Sequence, residues 1–129
     1  SHPRIGQGCD PLDAVDMREL DAYCLGRHVE LMPNLQSFGH HRHLLQLPEY
    51  HHLAETELCW TLSPALEETY DLLADMYGDM LPAFSSTTLN VCCDETYDLG
   101  KGRSAEQAAE IGFLLSDASV NITGACSIG

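Results

Sequence analysis

At 129 residues the chain is long enough for one domain with a packed core, and about half of the ~250 residues that a complete (β/α)8 barrel takes. Twenty acidic side chains against six basic ones give a formal charge of −14, which repels phosphate backbones and anionic lipid and makes nucleic acid an unexpected partner. With 44% hydrophobic and 20% charged residues and no apolar run of the ~18 residues a membrane span needs, the composition is that of an ordinary globular protein, with no membrane partner expected.

Residues 1–9 are polar, contain glycine and show no period, so residues 1–12 read as an arm leading to the domain. Helical periodicity starts near Asp13, with Met17, Leu20 and Cys24 on one face, Tyr23 beside them and Gly26 as the expected stop. His28–Met32 then reads as a short strand closed by Pro33. A helical piece, His41–Leu47, ends at Pro48. Ser63-Pro64 predicts a helix start, with the hydroxyl as N-cap, proline at the first helical position and Glu67 and Glu68 at the positive end. Leu66, Tyr70, Leu73 and Tyr77, flanked by Leu62, Thr69, Leu72, Met76 and Met80, make its buried face, and Pro82 ends it.

Thr88–Cys93 is the second expected strand, and Ser104 with Gln107 a capping box for a helix through Leu115. The tail, residues 116–129, is small and polar, with Val120 and Ile122 alternating as a weak strand or an ordered arm would. Helix, strand, helix, strand, helix is the alternation of parallel strands joined by crossover helices, so the fold class is α/β. The acids Asp13, Asp16, Glu19 and Asp21, and Glu67, Glu68, Asp71, Asp75 and Asp79, read as solvated helix faces. The six cysteines lack paired spacing and two are adjacent, which favours buried free thiols over a disulfide framework. The lack of a leader pattern in the first residues agrees, and predicts a reducing, cytoplasmic setting.

Chemistry concentrates in Asn90-Val91-Cys92-Cys93-Asp94-Glu95-Thr96-Tyr97-Asp98-Leu99-Gly100-Lys101-Gly102-Arg103-Ser104, where an apolar strand ends in two adjacent carboxylates and turns through glycines. Glycosidic hydrolysis needs a proton donor at the leaving oxygen and a group that stabilises positive charge at the anomeric carbon, work that two carboxylates can divide. Repulsion between such neighbours favours protonation of one, as a general acid near neutrality requires. An Asp-Glu after a strand can also merely cap a turn.

Together with Glu30-Leu31-Met32-Pro33-Asn34-Leu35-Gln36-Ser37-Phe38-Gly39-His40 and Pro48-Glu49-Tyr50-His51-His52-Leu53-Ala54-Glu55, this segment resembles glycoside hydrolase family 20, the β-N-acetylhexosaminidases, around the third and fourth strands of their eight-stranded barrel. The resemblance fades after about Ile111. It implies a partial (β/α)8 TIM-barrel domain over residues 1–129, completed by homo-oligomerisation because open strand edges need cover.

The implied activity is retaining, substrate-assisted cleavage of terminal β-linked N-acetylhexosamine with no cofactor or metal. Asp94 would orient the 2-acetamido group and Glu95 serve as general acid and then base, with His40, Asn34 and Gln36 at the sugar. Trp60 and Tyr97 offer faces for ring stacking, though Trp60 suits a core equally. Asn90-Val91-Cys92-Cys93 departs from the His-x-Gly-Gly that many members carry there.

Two other readings stand beside this one: a non-catalytic sugar-binding module, and a metal-dependent hydrolase built on His40, His41, His43, His51 and His52, which lack HExxH spacing. Cys92-Cys93 suits packing more than redox chemistry. The Gly100-Lys101-Gly102 turn lacks phosphate-loop spacing, and Asn121-Ile122-Thr123 fits a glycosylation sequon.

Overall fold

Asp13 begins the first helix by satisfying backbone donors that would otherwise be orphaned. In the computed structural model, which describes residues 2–110 and 125–127, α1 spans Ala14–Leu25. The Asp13 carboxylate accepts the N–H groups of Val15 and Asp16, and the Asp16 carboxylate accepts the Asp13 N–H in return. Those backbone bonds, Asp16 first, hold the Asp13 carboxyl below its ordinary value.

The far end of α1 falls where expected, at Leu25 with Gly26 as its C-cap. Gly26 keeps right-handed geometry, and the left-handed residue is His28 at φ 60°. His28 N–H bonds to Leu25 O and Val29 N–H to Cys24 O, the two bonds of a Schellman ending. The apolar face, by contrast, is not what α1 buries. Leu20 and Tyr23 are exposed, whereas Asp21, expected in solvent, is buried and accepts the Ser85 N–H at 3.1 Å. That bond ties α1 to the chain just beyond the 3-10 turn Leu81–Ala83, against which the helix lies.

His28–Met32 forms no strand: no described strand lies beside it, and Val29 and Met32 are exposed. Pairing begins only at Pro33. Asn90 N–H donates to Pro33 O, Leu35 N–H to Asn90 O and Ser37 N–H to Cys92 O, a parallel register that sets Asn34 beside Asn90. The strand β1, Thr88–Asn90, is shorter than the expected Thr88–Cys93, since Cys92 leaves extended geometry at φ 42°. On its other edge β1 pairs antiparallel with β2, Ala125–Ser127, Leu89 facing Cys126. Val120, Ile122 and the Asn121 sequon lie outside the described residues, as do 111–115 of the expected last helix.

The core gathers Leu44 and Leu45 from α2 (Arg42–Leu45), Leu53 from the 3-10 turn His51–Leu53, and Leu62, Leu72 and Leu73, the last two from α3 (Glu67–Met80). Tyr70 of the expected apolar face is instead exposed. α3 starts later than Ser63-Pro64 predicts: its N-cap is Leu66, without a side-chain cap, while the Ser63 hydroxyl donates to Glu55 and its oxygen accepts the Ala65 N–H ahead of the helix. Ser104 precedes α4 (Ala105–Glu110); its hydroxyl donates to Glu55 and its oxygen accepts the Gly100 N–H. The N-terminal arm is fastened through His2 to Tyr50 and Asp75, and through Arg4 to Glu49. No helix among the described residues is long and apolar enough to cross a membrane.

Candidate active site

The parallel pairing of 33–37 with 90–92 carries both chains off the same end of the ladder, one toward His40 and the other toward Asp94. Gly39 lets them touch. A Cβ built on it would lie 2.4 Å from the Asp94 carbonyl oxygen, inside any real contact, so only a glycine permits this approach. His40 (φ 64°) and Glu95 (φ 52°) both take left-handed backbone, which side-chain-bearing residues adopt at a cost that clusters at functional sites. Across the gap His40 Nε2 stands 3.3 Å from Glu95 Oε2 and 3.9 Å from Asp94 Oδ2. The other Asp94 oxygen, Oδ1, is buried with no hydrogen-bond partner among the described residues.

An aromatic row flanks the carboxylates. The Trp60 ring lies 4.7 Å from His40 and 6.1 Å from Tyr97, centroid to centroid. Its indole N–H donates to the Glu95 carbonyl at 2.8 Å, and the Tyr97 N–H donates to the same oxygen at 3.0 Å. Hydrogen bonding to Glu95, with Asp94 nearby, raises the Tyr97 hydroxyl above the ordinary phenol value.

Five of the seven residues picked from the sequence, His40, Trp60, Asp94, Glu95 and Tyr97, therefore meet. The other two do not join them in the same way. The Asn34 carboxamide accepts the Cys92 thiol, and Gln36 Oε1 is buried without a partner among the described residues.

Burial, with Asp94 adding, pushes both the Cys92 and Cys93 thiols up, which disfavours the nucleophilic thiolate and agrees with a packing role. The remaining histidines do not build a metal centre: His43, His51 and His52 are exposed, and among the described residues no three His, Cys, Asp or Glu side chains are placed to hold an ion. A cavity of about 740 Å³ between the arm, α1 and the end of α3, lined by residues such as Leu12, Met17, Leu31, Met80 and Phe84, includes neither catalytic candidate.

Beneath the site lie groups to which the sequence reading gives no role. Glu55, 1% exposed, accepts hydrogen bonds from Ser63, Gly102 and Ser104, so it pins the glycine turn that follows the acid pair. Asp98, also buried, accepts the Thr56 hydroxyl at 2.6 Å. The only signal for Glu55 in the chain is its place directly after the apolar pair Leu53-Ala54.

His41, next to the site, is buried, with no partner for its Nε2 among the described residues. Burial pushes its imidazole down to about 4, against the Gln36 and Ser37 backbone bonds that favour the charged ring. The folded protein therefore holds His41 neutral where the unfolded chain takes up a proton, and stability falls as pH drops from 6.5 through 4. Urea melts of wild type and His41→Asn at pH 7 and pH 4 should show wild type losing on the order of 3 kcal/mol more than the variant. Equal losses would sink this account.

Neither any protein-family model nor any curated protein matches the chain.

Proposed function

We propose that the protein hydrolyses terminal β-linked N-acetylhexosaminides, of the GlcNAc or GalNAc type, with retention of configuration, on an α/β framework that represents part of a (β/α)8 barrel. The observation that carries this reading is the contact of His40 with both Glu95 and Asp94. Support also comes from the ladder: the reacting groups follow the C-terminal ends of two neighbouring parallel segments, where barrel enzymes carry their sites.

In the proposed reaction Asp94 orients the substrate's 2-acetamido group, whose carbonyl oxygen attacks the anomeric carbon. The glycosidic C–O bond breaks as Glu95 gives its proton to the leaving oxygen. Glu95, now a carboxylate, takes a proton from water as that water opens the cyclic intermediate, and the acetamido group is restored. His40 faces Glu95 across 3.3 Å. The scheme needs no cofactor.

The described cysteines, Cys9, Cys24, Cys59, Cys92 and Cys93, are free thiols, which suits a reducing, cytoplasmic setting. Among the described residues no strand pairs with the outer edge of 33–37, and a second copy of the chain is the proposed cover.

The open setting of the carboxylates, with Glu95 40% exposed, favours a second reading: a surface that binds sugar without cleaving it. Chromogenic N-acetyl-β-glucosaminide cleavage by wild type and Glu95→Gln, followed across a sizing column, separates the two. Hydrolysis should travel with an oligomeric protein peak and fall at least ~10²-fold in the variant. An inactive wild type that still binds the sugar would establish the second reading, and a monomeric peak would remove the oligomer.

A further inference from the structure

We infer that Trp60 is a positioning residue that clamps the acid pair, holding the Glu95 backbone and the His40 ring in register. This inference rests on the hydrolase reading for its catalytic consequence. Its geometry is independent of that reading.

A tryptophan beside a sugar site invites a stacking role, yet the polar atom of this one faces inward. The indole N–H is spent on the Glu95 carbonyl. That oxygen belongs to a residue in left-handed backbone, where an L side chain sits against a steric penalty and needs surrounding bonds to stay. The same ring packs on His40, the second left-handed residue of the site, at 4.7 Å. The Trp60 carbonyl accepts the His41 N–H at 3.0 Å, so backbone and side chain of one residue hold both halves of the contact. Tyr97 shares the Glu95 carbonyl through its own N–H, but its side chain is half exposed and its bond is local. Of the two bonds to that carbonyl, the Trp60 bond is the long-range one, joining residues 35 apart.

Loss of the indole N–H should free the Glu95 peptide and misplace its carboxyl against a bound glycoside. A clamp and a stacking wall then differ in kinetics. Trp60→Phe keeps an aromatic face and loses the donor. A second variant carries β-(3-benzothienyl)alanine, which keeps the bicyclic shape with sulfur in place of N–H and guards against misfolding of the first. Both should lower kcat roughly tenfold or more with little change in KM. A raised KM with kcat retained, or no change in either, would overturn the clamp.

Trp60 is the sole tryptophan of the chain, so its emission reads the geometry without turnover. An indole held against His40 and the Glu95 carbonyl should emit at shorter wavelength than indole in water, and His40→Asn, which removes the ring packed on it, should move the emission toward that of water. Wild-type emission at the wavelength of indole in water would overturn the clamp. A wild type that shows the shifted emission and cleaves no glycoside would remove the hydrolase reading and leave the clamp standing.

Discussion

Glu55→Ala should cost the protein about 3–5 kcal/mol in a urea melt, enough to bring a domain of ordinary stability near unfolding. The carboxylate is 1% exposed and receives the Ser63 and Ser104 hydroxyls, each at 2.6 Å, with the N–H groups of Ser104 at 3.0 Å and Gly102 at 3.1 Å. Truncation would leave buried donors facing a void, and each unsatisfied donor costs about 1–3 kcal/mol. Glu55→Gln should fall between, since the amide keeps one acceptor oxygen but turns two N–H donors toward groups that also donate. Main-chain bonds on both sides, Glu55 N–H to Thr61 O and Arg103 N–H to Glu55 O, fix the residue, so the side chain cannot escape by a local shift alone. A melt of Glu55→Ala within about 1 kcal/mol of wild type would mean that water replaces the carboxylate at little cost.

Gly39→Ala is the second substitution with a large expected effect, and it acts on the site itself. The added methyl would meet the Asp94 carbonyl oxygen at 2.4 Å and the Glu95 carbonyl oxygen at 3.3 Å. Both are backbone atoms, which cannot swing aside as a side chain can. Relief must come from separating the 38–40 turn from 94–95, which draws His40 away from the carboxylates. A loss of about 1–3 kcal/mol in stability is expected from the strain. Glycosidase activity should drop by ~10²-fold, the usual effect of moving a reacting group by about an ångström. Gly78 in α3, where a methyl meets nothing within 4 Å, supplies the control for glycine replacement as such. Full activity in Gly39→Ala beside a normal Gly78→Ala would show that the close approach plays no part in function.

How much of this could be read from residues alone varied with where the deciding contact lay. The start of α1 at Asp13 was legible because capping is local: donor and acceptor stand within a few residues of each other. Ser63 and Ser104 carried the same local signal and misled: both hydroxyls donate to a carboxylate 8 residues from one and 49 from the other, and their oxygens accept the N–H groups of Ala65 and Gly100 instead. Glu55 was invisible for the complementary reason: glutamate is almost never fully buried, and its donors come from distant segments. Gly26 was legible as the end of α1, but the left-handed turn that follows falls on His28 and not on the glycine. Around the candidate site, the motif spacing brought His40, Asp94 and Glu95 forward together. The orientation of Trp60 depends on a bond across the fold that no spacing encodes.

The ladder between 33–37 and 90–92 also bears on the order in which the molecule assembles. Cys92 meets Asn34 across 58 residues and Ser104 meets Glu55 across 49, so these ties that build the site close long loops. Backbone entropy is lost in such closures before packing offsets it, whereas the bonds of α1 and α3 span only neighbouring turns. The helices are thus the early, local part of the structure, and the acid pair is its late part: the carboxylates come into register only when nearly everything else has folded, and they are the first to part when it loosens.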